Sequence, residues 1–106
     1  MYQINWHDVG IDLYEHDKYT ESILALKRSI LSNFENSDSY YVLGVSLLKL
    51  GKLTQAEKCF KEVIRLNPKH IEALVKLGGL LLKLRKETES RYYFDQVIAI
   101  KQNKDF

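Results

Sequence analysis

Displaced by 34 residues, the sequence matches itself twice. Gly10, Gly44 and Gly78 fall in phase, and so do Thr20, Thr54 and Thr88. Residue types recur around these identities. A large side chain stands four positions before each glycine (Trp6, Tyr40, Leu74), an aliphatic one just before it (Val9, Leu43, Leu77) and a leucine three after it (Leu13, Leu47, Leu81). Small residues follow at Ser22, Ala56 and Ser90, with Leu26, Phe60 and Phe94 four positions beyond them. Ser29, Val63 and Val97 come next, each followed by an isoleucine at 30, 64 or 98. A period of this size without insertions means a stack of like units. Each unit buries its apolar face on its neighbours, and about three are needed before such a stack is stable.

Within one copy the apolar period is helical. Tyr40, Leu43, Gly44, Leu47 and Leu50 make one stripe, and Ala56, Phe60, Val63, Ile64 and Leu66 make a second. Gly51 lies between them, where a tight turn needs positive φ. Thr54 and Glu57 carry the spacing of a capping box, and Pro68 stops the second helix. The unit is two antiparallel helices, and the expected helices run over 3–16, 19–32, 37–50, 53–66, 71–84 and 87–101. A glycine inside a helix costs about 0.5–1 kcal/mol relative to alanine, so Gly10, Gly44 and Gly78 imply close helix–helix approach. Ser22, Ala56 and Ser90 form the reciprocal small surface.

This spacing resembles the tetratricopeptide repeat. That family's Trp-x2-Leu-Gly-x2-Tyr, Ala-x3-Phe, Pro pattern is met in the middle copy by Tyr40, Leu43, Gly44, Leu47, Ala56, Phe60 and Pro68. The first copy supplies Trp6, Val9, Gly10, Leu13, Ser22 and Leu26, with Phe34 at the proline place. The third supplies Leu74, Leu77, Gly78, Leu81, Ser90 and Phe94, with Gln102 at that place. Asp17 and Arg85 stand where Gly51 makes the turn. The resemblance implies one all-α domain over 1–106. It would be an α-solenoid of three helix-turn-helix repeats (about 3–36, 37–70 and 71–104) forming a right-handed superhelix, whose first helices line a concave groove. It further implies a non-catalytic module for protein–protein interaction.

Projected onto that groove, the first repeat offers Ile4, His7, Asp8, Ile11 and Tyr14, and the second Tyr41, Val42, Val45 and Leu48. The third offers Val75, Lys76, Gly79 and Leu82. The rows Ile11–Val45–Gly79 and Tyr14–Leu48–Leu82 are apolar, which suits an amphipathic helix or an extended peptide with aliphatic anchors. Some family members clamp a chaperone tail's carboxylate with Lys, Asn, Asn, Lys and Arg. The matching places here hold His7, Ile11, Val42, Glu72 and Lys76, and only Lys76 keeps its charge. No carboxylate clamp is therefore expected. Tyr93, Val97, Ile98 and Ile100, with Phe106, form an apolar end that would face no neighbour and could serve self-association.

Composition narrows the function. The 106 residues are 45% hydrophobic, too apolar for disorder, and carry a formal charge of +2, too balanced for a dedicated nucleic-acid binder. Residues 1–36 carry three Lys or Arg against six Asp or Glu, residues 37–70 six against three, and residues 71–106 seven against five. Such asymmetry orients a charged partner or simply solvates helix faces. Lys52, Lys58, Lys61, Arg65 and Lys69 make the most basic side, a weaker reason to consider nucleic acid. One cysteine, Cys59, allows no internal disulfide and reads as a buried thiol. Asp8, Asp12 and His16 share a helix face but lack the second histidine or cysteine pair of a metal site. His70 has no assigned role, and Trp6 reads as core. No phosphate loop or nucleophile motif is present, so neither enzyme, cofactor nor metal is expected. No stretch has the length of a membrane span, and no secretory pattern opens the chain, so a cytoplasmic location is expected.

Overall fold

The structure is a computed structural model, and it describes residues 3–103. Six helices follow in order: α1 (Trp6–Glu15), α2 (Tyr19–Ser32), α3 (Ser37–Lys49), α4 (Leu53–Leu66), α5 (Ile71–Lys83) and α6 (Glu87–Gln102). They pair as the hairpins α1–α2, α3–α4 and α5–α6, and the hairpins stack in sequence order. There are no strands among the described residues. Phe106 and Lys104 lie outside the described residues. The thinnest dimension is 21 Å, two helix diameters of about 10 Å. The body is two helices thick, and any binding surface must be an open face.

Helix starts follow local chemistry. Asn5, Asn36 and His70 cap α1, α3 and α5, each side chain accepting a hydrogen bond from the backbone N–H three residues on (3.1, 3.2 and 3.0 Å). Asn5 therefore places the start of α1 at Trp6, not at residue 3. His70, unassigned in the sequence reading, has the same role as Asn36 one period earlier. Because its Nδ1 accepts from Ala73, the ring proton sits on Nε2. The capping box expected at Thr54 and Glu57 does not form: α4 begins without a side-chain cap, and Glu57 turns to lysines instead.

The turns inside the three hairpins share one geometry. Asp17, Gly51 and Arg85 have φ of 61°, 74° and 60°. The left-handed residue lets Lys18, Lys52 and Lys86 donate back to the carbonyls of Leu13, Leu47 and Leu81 at 2.9, 2.9 and 2.8 Å. At Arg85 a side chain tolerates a conformation that favours glycine. Arg85→Gly is expected to raise stability by up to about 1 kcal/mol, the relieved strain exceeding glycine's added unfolded-state entropy. Urea denaturation of the two proteins checks this. Asp17→Gly should give less, since the Asp17 carboxylate accepts from the Tyr19 hydroxyl at 2.8 Å.

The core runs along the stack from Leu26 through Phe60 to Leu74, Leu77 and Leu81, all with almost no exposure. The three in-phase glycines sit against large side chains. A Cβ at Gly10 would lie 2.6 Å from Leu26, and one at Gly44 or Gly78 would lie 2.8 Å from the ring of Phe60 or Phe94. Ser22 and Ser90 do more than stay small: each hydroxyl donates to the carbonyl of its glycine, Gly10 at 2.7 Å and Gly78 at 2.8 Å.

The two junctions between hairpins differ. At the first, Ser46 donates to Ser22 (3.4 Å), and Ser29 pairs with Ser39 (2.8 Å), whose hydroxyl also meets His7 Nδ1 at 2.8 Å. All four serines are buried. One period later the same places hold Ala56, Val63, Ala73 and Leu80, buried and apolar. Trp6 is only half-buried, with the Arg28 guanidinium over its ring at 5.2 Å, so it is a covered edge of the core.

Candidate functional site

Helices α1, α3 and α5 share one face, and two depressions open on it. The first, about 90 Å3, is lined by Tyr14 from α1, Tyr41, Val42 and Val45 from α3, and Lys76 from α5. The second, about 270 Å3, is lined by Leu48, Val75, Lys76, Gly79, Leu80 and Lys83. Lys76 borders both. Eight of the thirteen residues placed in the groove by sequence line these two depressions; Ile4, His7, Asp8, Ile11 and Leu82 do not.

The arrangement departs from straight rows. Tyr14 joins Tyr41, Val42 and Val45, not Leu48 and Leu82, because the staggered helices set the neighbours on a diagonal. Leu82 lies 52% exposed and borders a separate hollow with Glu87, Ser90, Arg91 and Phe94. Val45 is only 6% exposed, so it forms floor and offers little surface. His7 turns into the first junction through its bond to Ser39. Ile4 is exposed and Ile11 half-buried.

Tyr41 is the best-fixed side chain of the face. Its ring packs edge-on to Phe60 (5.9 Å) and lies over the His70 ring (4.9 Å). Burial pushes its hydroxyl above the ordinary phenol range, and the nearby Glu72 carboxylate adds to that, so it stays neutral. The apolar end of α6 divides likewise. Ile98 is 52% exposed, whereas Val97 and Ile100 are half-buried and Tyr93 packs on the core instead of facing outward. Tyr92 is exposed beside Tyr93, with ring centroids 5.1 Å apart.

The basic side is partly neutralised within the fold. Lys61 pairs with Glu57 at 2.9 Å and Glu89 at 3.4 Å, and Arg65 pairs with Glu62. Lys86 reaches Glu57 at 3.3 Å, tying the last turn to α4. Two of the five cations proposed for nucleic acid are thus engaged with carboxylates. Glu57 is 7% exposed. The Lys61 ammonium, and after it that of Lys86, holds its carboxyl below the usual range against the opposing effect of burial. A carboxyl with a depressed folded pKa adds stability that is present above its unfolded value and is lost as pH falls through the folded one. Glu57→Gln is therefore expected to cost on the order of 1 kcal/mol at neutral pH. As pH falls through the depressed folded value of Glu57 the two proteins should converge. Urea midpoints across that range test it, and a pH-independent gap would refute the ion-pair account.

Cys59 is buried, and burial pushes its thiol up to about 11, so it stays protonated and unreactive. His16 closes α1, its Nδ1–H donating to the Asp12 carbonyl at 2.8 Å. Among the described residues no three His, Cys, Asp or Glu side chains are grouped to hold a metal ion, and no helix is long and apolar enough to cross a membrane.

Residues 37–70, the α3–α4 hairpin with its following loop, match the family model described as tetratricopeptide repeat. No curated protein matches the sequence. Among solved structures, MamA superposes with a TM-score of 0.90 at 24% identity, covering 94% of this chain and 58% of that one. The second repeat domain of Spaghetti (RPAP3), solved with the HSP90 peptide SRMEEVD, gives 0.84 at 24% identity over 89% of this chain and 87% of that one. The Pseudomonas aeruginosa pilF structure gives 0.81 at 27% identity over 89% and 43%. The chain thus spans little more than half the length of the MamA structure. By sequence the middle hairpin, residues 37–70, is a tetratricopeptide repeat, and the three hairpins together have the fold of solved tetratricopeptide-repeat structures.

Proposed function

We propose that this chain is a non-catalytic protein-interaction module, one domain of three repeats, that binds a peptide or amphipathic helix across α1, α3 and α5. The observation that carries the reading is the joining of Tyr14, Tyr41, Val42, Val45 and Lys76 from three separate hairpins into one depression. Apolar floor with a few charged edges is the surface that helix and extended-peptide ligands use. The Spaghetti domain is similar in fold and is solved with a chaperone peptide. That precedent supports peptide binding but not the same ligand here, since His7, Ile11, Val42 and Glu72 stand where a carboxylate clamp needs cations and amides.

A peptide-display selection against the chain provides the ligand, and affinities on variants provide the test. Tyr14→Ala and Val42→Glu should each weaken a selected peptide at least about tenfold, the effect of losing about 1.4 kcal/mol. Unchanged affinity on both would sink the reading. Val45 is too buried for a charge to probe binding alone.

Self-association through α6 is the second reading, favoured by the exposure of Tyr92 and Ile98. Sedimentation should then show concentration-dependent mass that Ile98→Asp removes, and a strict monomer at high concentration counts against it.

A further inference from the structure

Five glycines occur in the chain, and four have a structural reason to be there. Gly10, Gly44 and Gly78 make room for a neighbouring side chain, and Gly51 holds a positive φ. Gly79 has neither reason. It lies inside α5 without positive φ, and a Cβ built on it would meet nothing within 4 Å. A mid-helix glycine weakens its helix relative to alanine, and here no packing within the chain offsets that.

Gly79 opens onto the 270 Å3 depression, with Leu48, Val75 and Leu80 as apolar walls. That is just below the roughly 300–1,000 Å3 of small-molecule pockets, a size for one inserted side chain and not for a cofactor. Two cations border it. Lys76 stands one turn before Gly79 and Lys83 one turn after, and both are exposed. Neither forms an ion pair with a described residue, whereas Lys61, Arg65 and Lys86 all do. On this α5 edge the nearest acidic residue in sequence is Glu72, a turn before Lys76 and on the side of Tyr41.

We infer that the cup at Gly79 receives a single large aliphatic side chain of a bound peptide, flanked in that peptide by acidic residues that meet Lys76 and Lys83. The inference rests on the peptide-binding reading above and specifies its anchor. Apolar contact fixes the inserted side chain, and the paired charges select and orient the segment around it.

The test uses the whole chain, isotopically labelled, and a blocked synthetic peptide in which leucine is centred between two glutamates on either side. Amide shifts on titration should map to Leu48 and to Val75–Lys83. Gly79→Leu, which fills the cup, should weaken binding at least about tenfold, and so should the paired Lys76→Glu and Lys83→Glu substitution. Replacing the peptide's leucine by glycine, or its glutamates by lysines, should have the same effect. Gly79→Ala checks that folding is not at fault: it should raise the thermal midpoint by a few degrees while weakening the peptide. Equal affinity for the lysine peptide, or an affinity that Gly79→Leu leaves unchanged, overturns the inference. The display-selected peptide separates the two claims. Weakening by Tyr14→Ala without weakening by Gly79→Leu removes the cup and leaves the binding face. Indifference to Tyr14→Ala, Val42→Glu and Gly79→Leu removes both.

Discussion

Phe60→Ala is expected to destabilise the protein by about 3–5 kcal/mol, the usual cost of truncating a fully buried aromatic side chain. Phe60 is 0% exposed and sits in the central hairpin, so its ring contributes to the packing of both neighbours. It fills the space beside Gly44 and supports the Tyr41 ring at 5.9 Å. A domain of this size has a total stability of about 5–15 kcal/mol, so the variant would lose from about a fifth to all of it. Urea denaturation followed by circular dichroism measures the loss. A cost under about 1.5 kcal/mol would mean that the stack relaxes into the void, and that the hairpins are far less tightly coupled than their geometry indicates. Tyr41 would lose its support at the same time, so peptide binding should weaken even where the fold survives.

The second large effect is Gly44→Ala. In an open helix this change stabilises by about 0.5–1 kcal/mol. Here the new methyl would stand 2.8 Å from one ring carbon of Phe60 and 2.9 Å from another, and a rigid buried ring has little freedom to withdraw. Overpacking of this kind costs about 1–3 kcal/mol, so the net effect is a loss. The sign should reverse once the ring is gone. In a Phe60→Ala background, Gly44→Ala should stabilise, and the double-mutant cycle should give a coupling of about 2 kcal/mol. Additive single effects would refute the claim that the glycine exists for the ring. Gly79 supplies the contrast, because the same substitution there meets empty space.

The repeat was legible because it is written in residues whose role is local or is copied three times. Period, helix count, hairpin turns and the in-phase glycines all follow from spacing. Asp17 and Arg85 could be placed in the left-handed turn position because they fall in phase with Gly51. Helix α1 was misjudged at its start because Asn5 caps out of phase with Asn36 and His70. The Thr54–Glu57 box failed because Lys52 is the N-cap of α4 and Thr54 lies inside the helix; the glutamate meets two ammonium groups instead, one of them brought from the next hairpin. That contact depends on stacking, which a single hairpin's sequence does not express.

The binding face was legible in membership and not in arrangement. Helical projection identifies Tyr14, Tyr41, Leu48, Val75 and Gly79 as facing one way. It does not supply the stagger between helices, which decides whether Tyr14 meets Val45 or Leu48. It also cannot report depth, and so it ranked Val45 with Val75 although one is buried and the other 43% exposed. The serine junction carried a signal that was available: Ser22 and Ser29 are seven apart, as are Ser39 and Ser46. Two helices with that spacing, run antiparallel, pair Ser22 with Ser46 and Ser29 with Ser39.

That seam makes the stacking order self-addressing. Docking α2 on α5 would set Ser29 against Ala73 and take away its hydroxyl partner, while Ser22 would keep only its bond to the Gly10 carbonyl; a second copy of α4 on α3 would set Ala56 against the Ser46 hydroxyl, which then loses its acceptor. Building blocks of one shape are thereby given distinct junctions, and an extra copy spliced between them would have to speak one dialect on each side.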